Sequence, residues 1–379
     1  MTTSALERFR DAIAEAEQLI ADPPFAATAI ERAEGLEYLA GSIRSALQMA
    51  FDYNLDHPIL INPTHQYARQ GLDNPDAIYF TAFLTEGAEY ELSGRRGTTA
   101  DLSFQIMDGT YSADGSPATL AAFDDRELDV ASDGTFSWRF GADLGLRRGS
   151  TLIIREVSSD WTTEERGTLR LQRLDTAGVP QKAPTDVSVD KRYDVAAKML
   201  IGRIKTWYAF PEWFTYKEPV NTLTDPKSTP GGLTSQFSSI GHYDLSDDEA
   251  LLVTVPAADC AYQAIQIGSR WYASTDYEHH QTSLTRSQSV VDPDGLIRYV
   301  ISEQNPGIAN WLELCGHPQG VIMLRWQRVD RPLTAADGPS VELIKLADLH
   351  LPHDQTVTNA QYADRIAARQ IGIARRMIS

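Results

Sequence analysis

Two stretches of the chain align on each other without a gap. Setting LSFQIMDGTYSADG (102–115) over QAIQIGSRWYASTD (263–276) puts Gln105 and Ile106 on Gln266 and Ile267, and Tyr111 on Tyr272. The same offset of about 161 residues carries ASDGTFSW (131–138) onto DPDGLIRY (292–299). The second copy then takes an insertion, SEQNPGIANWLELCG, and the copies rejoin at TLIIREV and VIMLRWQ, where Arg155 matches Arg325. A repeat held in register favours an architecture built twice from one unit. The unit itself reads as β. AIYFTAFL, AEYELSG, ADLSFQIM, TFSWRFG, STLIIREV and GTLRLQRL are short runs of β-branched and aromatic residues, separated by Gly, Asp and Ser turns. Many short strands with frequent turns point to antiparallel sandwiches of the jelly-roll kind.

Helices flank these units. Leu6, Phe9, Ile13, Ala16 and Ile20 recur at helical spacing, so 4–22 is expected to be helical, and 28–53 likewise, with ADPPFA breaking the two apart. A helix is expected again near 190–208, ended by Pro211. The last twenty residues form an amphipathic helix whose arginines lie late, where the helix dipole favours cations. The expected class is mainly β with flanking helices (α+β). The expected organisation is N-terminal helices (1–69), a first β-sandwich module (70–185), a connecting helix and aromatic loop (186–231), a second module (232–350) and a C-terminal helix (351–379).

The 379 residues exceed one ordinary core. A net charge of −18 argues against nucleic acid and anionic membranes as partners. No run of eighteen apolar residues occurs. Cys260 and Cys315 are the two cysteines, too few for a disulfide framework, and a reduced cytoplasm is the expected compartment. Their pairing stays open, as does assembly into homo-oligomers.

The stretches DNPDAIYF, GRRGT, YDLSDDEALLV, TSLTRSQSVVDPDG and NPGIANWLELCGHPQGVIMLRWQ resemble the bacterial proteins that carry the paired domains of unknown function numbered twelve-fifty-four and twelve-fourteen, mainly the latter. The resemblance covers roughly 70–175 and 235–330. It implies jelly-roll-like β-sandwiches and no agreed reaction, so no catalytic residue carries over from it.

The densest chemistry lies in DYEHHQTSLTRSQ (276–288). The repeat sets His279 and His280 on Ala118 and Thr119, so the polar groups belong to the second copy alone. If 277–283 is extended, Tyr277, His279 and Gln281 share one face, and Glu278, His280 and Thr282 the other. His280 is then the candidate acid or base, oriented by Glu278 and Asp276, with His279 taking its place if a bulge shifts the parity. On a strand over 284–291, Arg286 and Gln288 project together to hold substrate. The stretch is expected on the concave side of the second sandwich, beside the connecting helix. A solvated loop is the competing reading.

KTWYAFPEWFTY (205–216) offers Trp207, Tyr208 and Trp213, with Tyr272 from the second copy, as walls of a cleft, against the alternative of a packed plug between modules. In the insertion, Asn310 and Trp311 are candidate ligand contacts. Arg95 and Arg96 read as solvated turn arginines, and Arg155 and Arg325 as a shared structural ion pair. Histidine spacing lacks the H-x-H pattern, so neither metal nor cofactor is expected. G-x-S-x-G, P-loop and G-x-G-x-x-G motifs are absent. The expected function is a metal-independent lyase or hydrolase, using histidine and carboxylate on a small apolar or glycosidic substrate in a cleft beside the second sandwich. The alternative is a non-catalytic carbohydrate-binding or assembly protein.

Overall fold

The computed structural model describes residues 4–228, 233 and 235–378. Among them the chain is mainly β with four helices, an α+β arrangement. The first half contains β1 (Ala77–Phe83), β2 (Tyr90–Arg95), β3 (Asp101–Met107), β4 (Thr119–Asp124), β5 (Thr135–Phe140), β6 (Thr151–Val157) and β7 (Thr168–Arg173). They form two sheets, ordered β1-β6-β3-β4 and β5-β2-β7. The second half contains β8 (Lys227–Ser228), β9 (Phe237–Asp244), β10 (Glu249–Pro256), β11 (Tyr262–Gly268), β12 (Ser283–Thr285), β13 (Leu296–Ser302), β14 (Trp311–Glu313), β15 (Gln319–Gln327) and β16 (Ser340–Lys345). Its sheets run β12-β11-β15-β9-β8 and β14-β13-β10-β16.

Each half buries alternate residues of its two sheets in one core. Leu92, Phe104, Leu152 and Ile154 meet Phe136 and Phe140 in the first. In the second, Val253, Ile297 and Tyr299 meet Ile265, Ile322, Leu324 and Trp326. Full burial of each such side chain contributes about 2 kcal/mol. The register also recurs. Ser103 pairs with Arg155 and Phe104 with Ile154, while Ala264 pairs with Arg325 and Ile265 with Leu324. Gly134 at φ +84° and Gly295 at φ +79° close like turns, each amide donating three residues back, to Ala131 and Asp292. The ion pair expected at the matching places of Arg155 and Arg325 is absent among the described residues, and each arginine bonds a glutamine instead. Arg155 donates to Gln105 at 3.0 Å, and Arg325 donates to Gln266.

Four helices pack around the halves. Capping boxes start α1 (Ala5–Ala21) at Ser4 and Glu7, and α2 (Ala29–Phe51) at Thr28 and Glu31. With α3 (Asp186–Phe214) they form a bundle around Ala16, Leu39, Ala196 and Leu200. Trp271 of the second half inserts into that bundle, its Nε1 donating to the Glu31 carbonyl at 2.8 Å. Gly35 permits the insertion, since a Cβ there would lie 2.5 Å from the indole. The helix α3 runs past Pro211, contrary to the expected stop. A proline removes its own N–H donor and crowds the preceding turn; here the turn beyond it is held by packing of Phe210, Phe214 and Tyr216 around Tyr272. No described helix is long and apolar enough to cross a membrane.

The segment Leu72–Asp76, between α2 and β1, threads the junction of the halves. Asp76 accepts from Trp161 Nε1 at 2.8 Å and from the Tyr262 hydroxyl at 2.6 Å. Asp73 accepts from Ser274, and its carbonyl accepts from Gln266. Burial pushes both carboxyls above the usual aspartate range. The C-terminal helix α4 (Asn359–Ile378) lies over the same junction, with Arg369 and Arg376 each less than 5 Å from the Trp161 ring.

Candidate functional site

The stretch 276–288 is not a continuous strand. Residues 277–279 form a turn because the Asp276 carboxylate caps the amides of Glu278 and His279, each at 3.0 Å. Only 283–285 pair as a strand, and Thr285 then caps a 3-10 turn over 286–288 in a box with Gln288. Pleat alternation therefore fails at both ends, and with it the expected sharing of a face by Glu278 and His280, and by Arg286 and Gln288. The matching stretch of the first half contains β4. The stretch 276–288 does not lie under the connecting helix. Its backbone is held by α4, where Arg369 donates to the Tyr277 and Ser283 carbonyls and Arg365 to Gln281 and the Gln288 carbonyl.

The two imidazoles take separate carboxylates. His279, 55% exposed at its side chain, bonds Asp276 at 2.9 Å. Burial opposes ionisation of Asp276, yet the bonds from His279 hold its carboxyl below the usual range. His280 bonds through Nδ1 to Glu313 at 2.9 Å, a residue 33 positions away on β14. Glu313 also accepts from the Tyr362 hydroxyl of α4 at 3.3 Å. The orienting acid of His280 is thus Glu313, in place of Glu278 and Asp276. Cys315 completes this cluster. It and Cys260 are both free thiols, and burial together with Glu313 pushes the Cys315 thiol far up.

Several expected ligand contacts are structural. Asn310 is fully buried, its amide exchanging two 2.8 Å bonds with the Val290 backbone. Trp311 is 3% exposed and donates to Ser302. Tyr272 is buried against Trp207 and Phe210, and Trp207 donates to Gln70. Tyr111 of the first half meets the same two rings at 6.0 Å, so this part of 205–216 is a plug between the halves. Trp213 packs on Phe210. Arg286 donates to the Ala258 carbonyl, and Gln288 is occupied in its capping box. Groups committed in this way, or shut off from solvent, are not available to hold a substrate. Of the expected aromatic walls, Tyr208 borders a cavity beside the second half.

That cavity, about 390 Å³, lies beside the second half. The α1–α2 loop contributes Phe25, the end of α3 contributes Tyr208 and Glu212, and Tyr216 follows. His242 and Asp244 come from β9, Gln319 from the start of β15, and Arg270 from the turn after β11. Arg270 donates to Gln319 Oε1 at 2.6 Å, and Gln319 donates to Asp244 at 2.8 Å. The guanidinium also sits 4.6 Å from the Phe25 ring centre. Among the described residues it has no carboxylate within ion-pair distance. The Tyr243 hydroxyl, buried and without a hydrogen-bond partner, borders the same cavity. His242 meets the Tyr216 ring edge-on at 5.3 Å, and its Nε2 lies 2.8 Å from the Glu218 carbonyl. A carbonyl only accepts, so Nε2 carries the proton and Nδ1 of the neutral ring is a lone-pair nitrogen. Burial pushes the Tyr216 hydroxyl up to about 12.

Arg270, His242 and Gln319 escaped the sequence reading because they lie far apart in the chain, in strands and turns with no motif. The one local signal was RWY (270–272), an arginine among aromatics after β11. His317 was missed as well. It is 1% exposed at its side chain and bonds Glu34 of α2 at 2.7 Å, tying the helices to the loop before β15.

No family model matches the chain, and no curated protein does. Among solved structures, an uncharacterized protein from Burkholderia cenocepacia is similar over 91% of this chain and 98% of its own, at 28% identity and a TM-score of 0.80. A Vibrio parahaemolyticus protein aligns over 82% of this chain and 98% of its own, at 12% identity and a TM-score of 0.45. The chain therefore shares the fold of the Burkholderia protein along nearly its whole length.

Proposed function

We propose that the cavity beside the second half is a substrate site for a small organic molecule with an apolar body and an anionic group. The observation that carries this is Arg270, a guanidinium on an aromatic-walled cavity that makes no direct ion pair among the described residues, with the Glu212 and Asp244 carboxylates of the same lining beyond ion-pair distance. A guanidinium without a direct ion pair can take an anionic group from outside. Phe25, Tyr208 and Tyr216 suit the apolar body. The reaction class we infer is that of a lyase or hydrolase, with His242 Nδ1 as the base in place of His280, which stands outside the cavity lining. We read the halves as two copies of one jelly-roll-like sandwich, supported by the common register and turns. The resemblance to the paired domains of unknown function is retained on the same footing.

A second reading is favoured by one feature. His242 is held by a carbonyl and not by a carboxylate, which weakens it as a base, while Tyr208, Tyr216, Asp244 and Gln319 are the side chains that stack on and bond to sugars. On that reading the cavity binds carbohydrate without turnover.

The test is calorimetric titration of the full-length protein with aromatic and aliphatic carboxylates and with glycosides. Carboxylates are expected to bind, and Arg270→Gln to weaken them by about tenfold or more, the value of one charge-assisted bond. Any substrate turned over should be lost in His242→Gln with its binding retained. Carboxylate binding unchanged in Arg270→Gln defeats the anion site, and glycoside binding without turnover favours the second reading.

A further inference from the structure

We propose that His280, Glu313 and Cys315 form a binding site for a divalent metal ion of the zinc type, independent of the cavity. The His280 ring nitrogen, a Glu313 carboxylate oxygen and the Cys315 sulfur all lie within 4.8 Å of one another. Tetrahedral zinc sets its donors roughly 3.5 Å apart, given bonds of about 2.0–2.3 Å. Small side-chain rotations close the difference. Imidazole, carboxylate and thiolate together suit zinc and its neighbours, and they suit neither magnesium nor calcium, which take oxygen ligands.

Three features separate this cluster from an incidental meeting of polar groups. The first is the surrounding charge: Glu303 accepts from the Gly316 amide at 2.9 Å and Glu34 bonds His317 at 2.7 Å, so two further carboxylates stand at the residues that follow Cys315. The second is the support of Glu313. Its Oε2 takes the Tyr362 hydroxyl as well as His280, and its amide donates to the Gln281 carbonyl, so the carboxylate is held from α4 and from the 276–288 stretch. Outer contacts of that kind orient metal ligands. The third is the thiol, which has little structural work. Among the described residues its one bond is to the Glu313 carbonyl at 3.7 Å, and its backbone sits at φ +55°, a conformation rare outside glycine. The side chain of His280 is 40% exposed, so the fourth position is open to water, as in zinc sites that do chemistry. The set is also peculiar to the second half. His280 falls on Thr119 in the repeat, while Glu313 and Cys315 lie in the insertion, and Tyr362 lies in α4, so the first half has no counterpart of the set.

The experiment uses the full-length protein freed of metal by a chelator. Titration with Co²⁺ should give one equivalent of binding and a thiolate-to-cobalt charge-transfer band, both displaced by Zn²⁺ and untouched by Mg²⁺. Cys315→Ser should remove the band and weaken Zn²⁺ binding by about a hundredfold, and Tyr362→Phe by about tenfold with the band kept. Cys260→Ser should change nothing. The proposal is overturned by absence of stoichiometric binding, by binding unaltered in Cys315→Ser, or by equal competition from Mg²⁺. Should Cys315→Ser fail to fold, alkylation of Cys315 in the unaltered protein decides: Zn²⁺ is expected to slow it at least about tenfold, and equal rates with and without Zn²⁺ overturn the site.

Discussion

The two halves of the molecule carry the same strand order and the same ladder register, yet their surfaces differ in kind. In the first half, β4 runs six residues and the segment before it is a simple turn at Ser112–Gly115. In the second half the matching strand, β12, is three residues long. The rest of that stretch is pulled into a capped turn and held by the arginines of α4. The second half also adds β14 to its other sheet, parallel to β13. Trp271 belongs to this half, and the cavity and the His280 cluster form where it meets the helices. A core fixed by alternating apolar residues tolerates change at its rims, because loop backbone needs only hydrogen bonds and not a packed partner. The cavity and the His280 cluster accordingly lie at turns, loops and strand ends of the second half and not in its core.

The largest expected effect is at the junction that makes the halves one unit. Asp76→Ala strands the Trp161 indole in a buried site and leaves the Tyr262 hydroxyl to Asn74 alone, and a loss of about 3 kcal/mol is expected in urea unfolding. If the halves are coupled through this carboxylate, the single unfolding transition should split into two. A loss below about 1 kcal/mol, within the range of an ordinary hydrogen bond, would show that the halves stand independently.

A matched pair of substitutions sharpens the comparison. Gln266 accepts from Arg325 and donates to the Asp73 carbonyl, whereas Gln105 bonds Arg155 and Thr119 within its own half. Gln266→Ala is therefore expected to cost about 2 kcal/mol and Gln105→Ala about 1 kcal/mol. Equal costs would mean that Gln266 adds nothing across the junction. The smallest effect is a control for likeness. Gly295→Ala and Gly134→Ala each place a side chain at positive φ, and each should lower stability by about 1 kcal/mol in thermal unfolding. Gly134→Ala should cost slightly more, since its Cβ meets the Arg96 carbonyl at 3.3 Å while Gly295 faces open space.

Much of the frame was legible in the sequence. The ungapped match of 102–138 with 263–299 found strands that pair in like register, because apolar alternation and Asp-Gly turns are local signals. Helices α1, α2 and α4 were legible for the same reason. The misreadings have physical causes. Pro211 was taken as a stop because a proline weakens a helix locally, but aromatic packing outweighs that loss. The 277–283 segment was taken as extended because its residue types allow it, while the Asp276 cap decides otherwise. Asn310 and Trp311 looked like ligand groups because polar and aromatic residues in an insertion often are, yet both are consumed in holding that insertion. His280 was found without its partners, since Glu313 arrives from another strand and Tyr362 from α4. Arg270 gave little sign, as a lone arginine becomes informative only when its partners in space are known.

The account stands or falls on whether the second half is where small molecules bind. Crystals of the full-length protein soaked with a panel of small aromatic carboxylates answer this directly. The expected result is a ligand in the cavity, its carboxylate on Arg270 and its ring against Tyr216 or Phe25. Ligands bound only on the first half, or a cavity that stays unoccupied while Arg270 turns to a protein carboxylate, would contradict it.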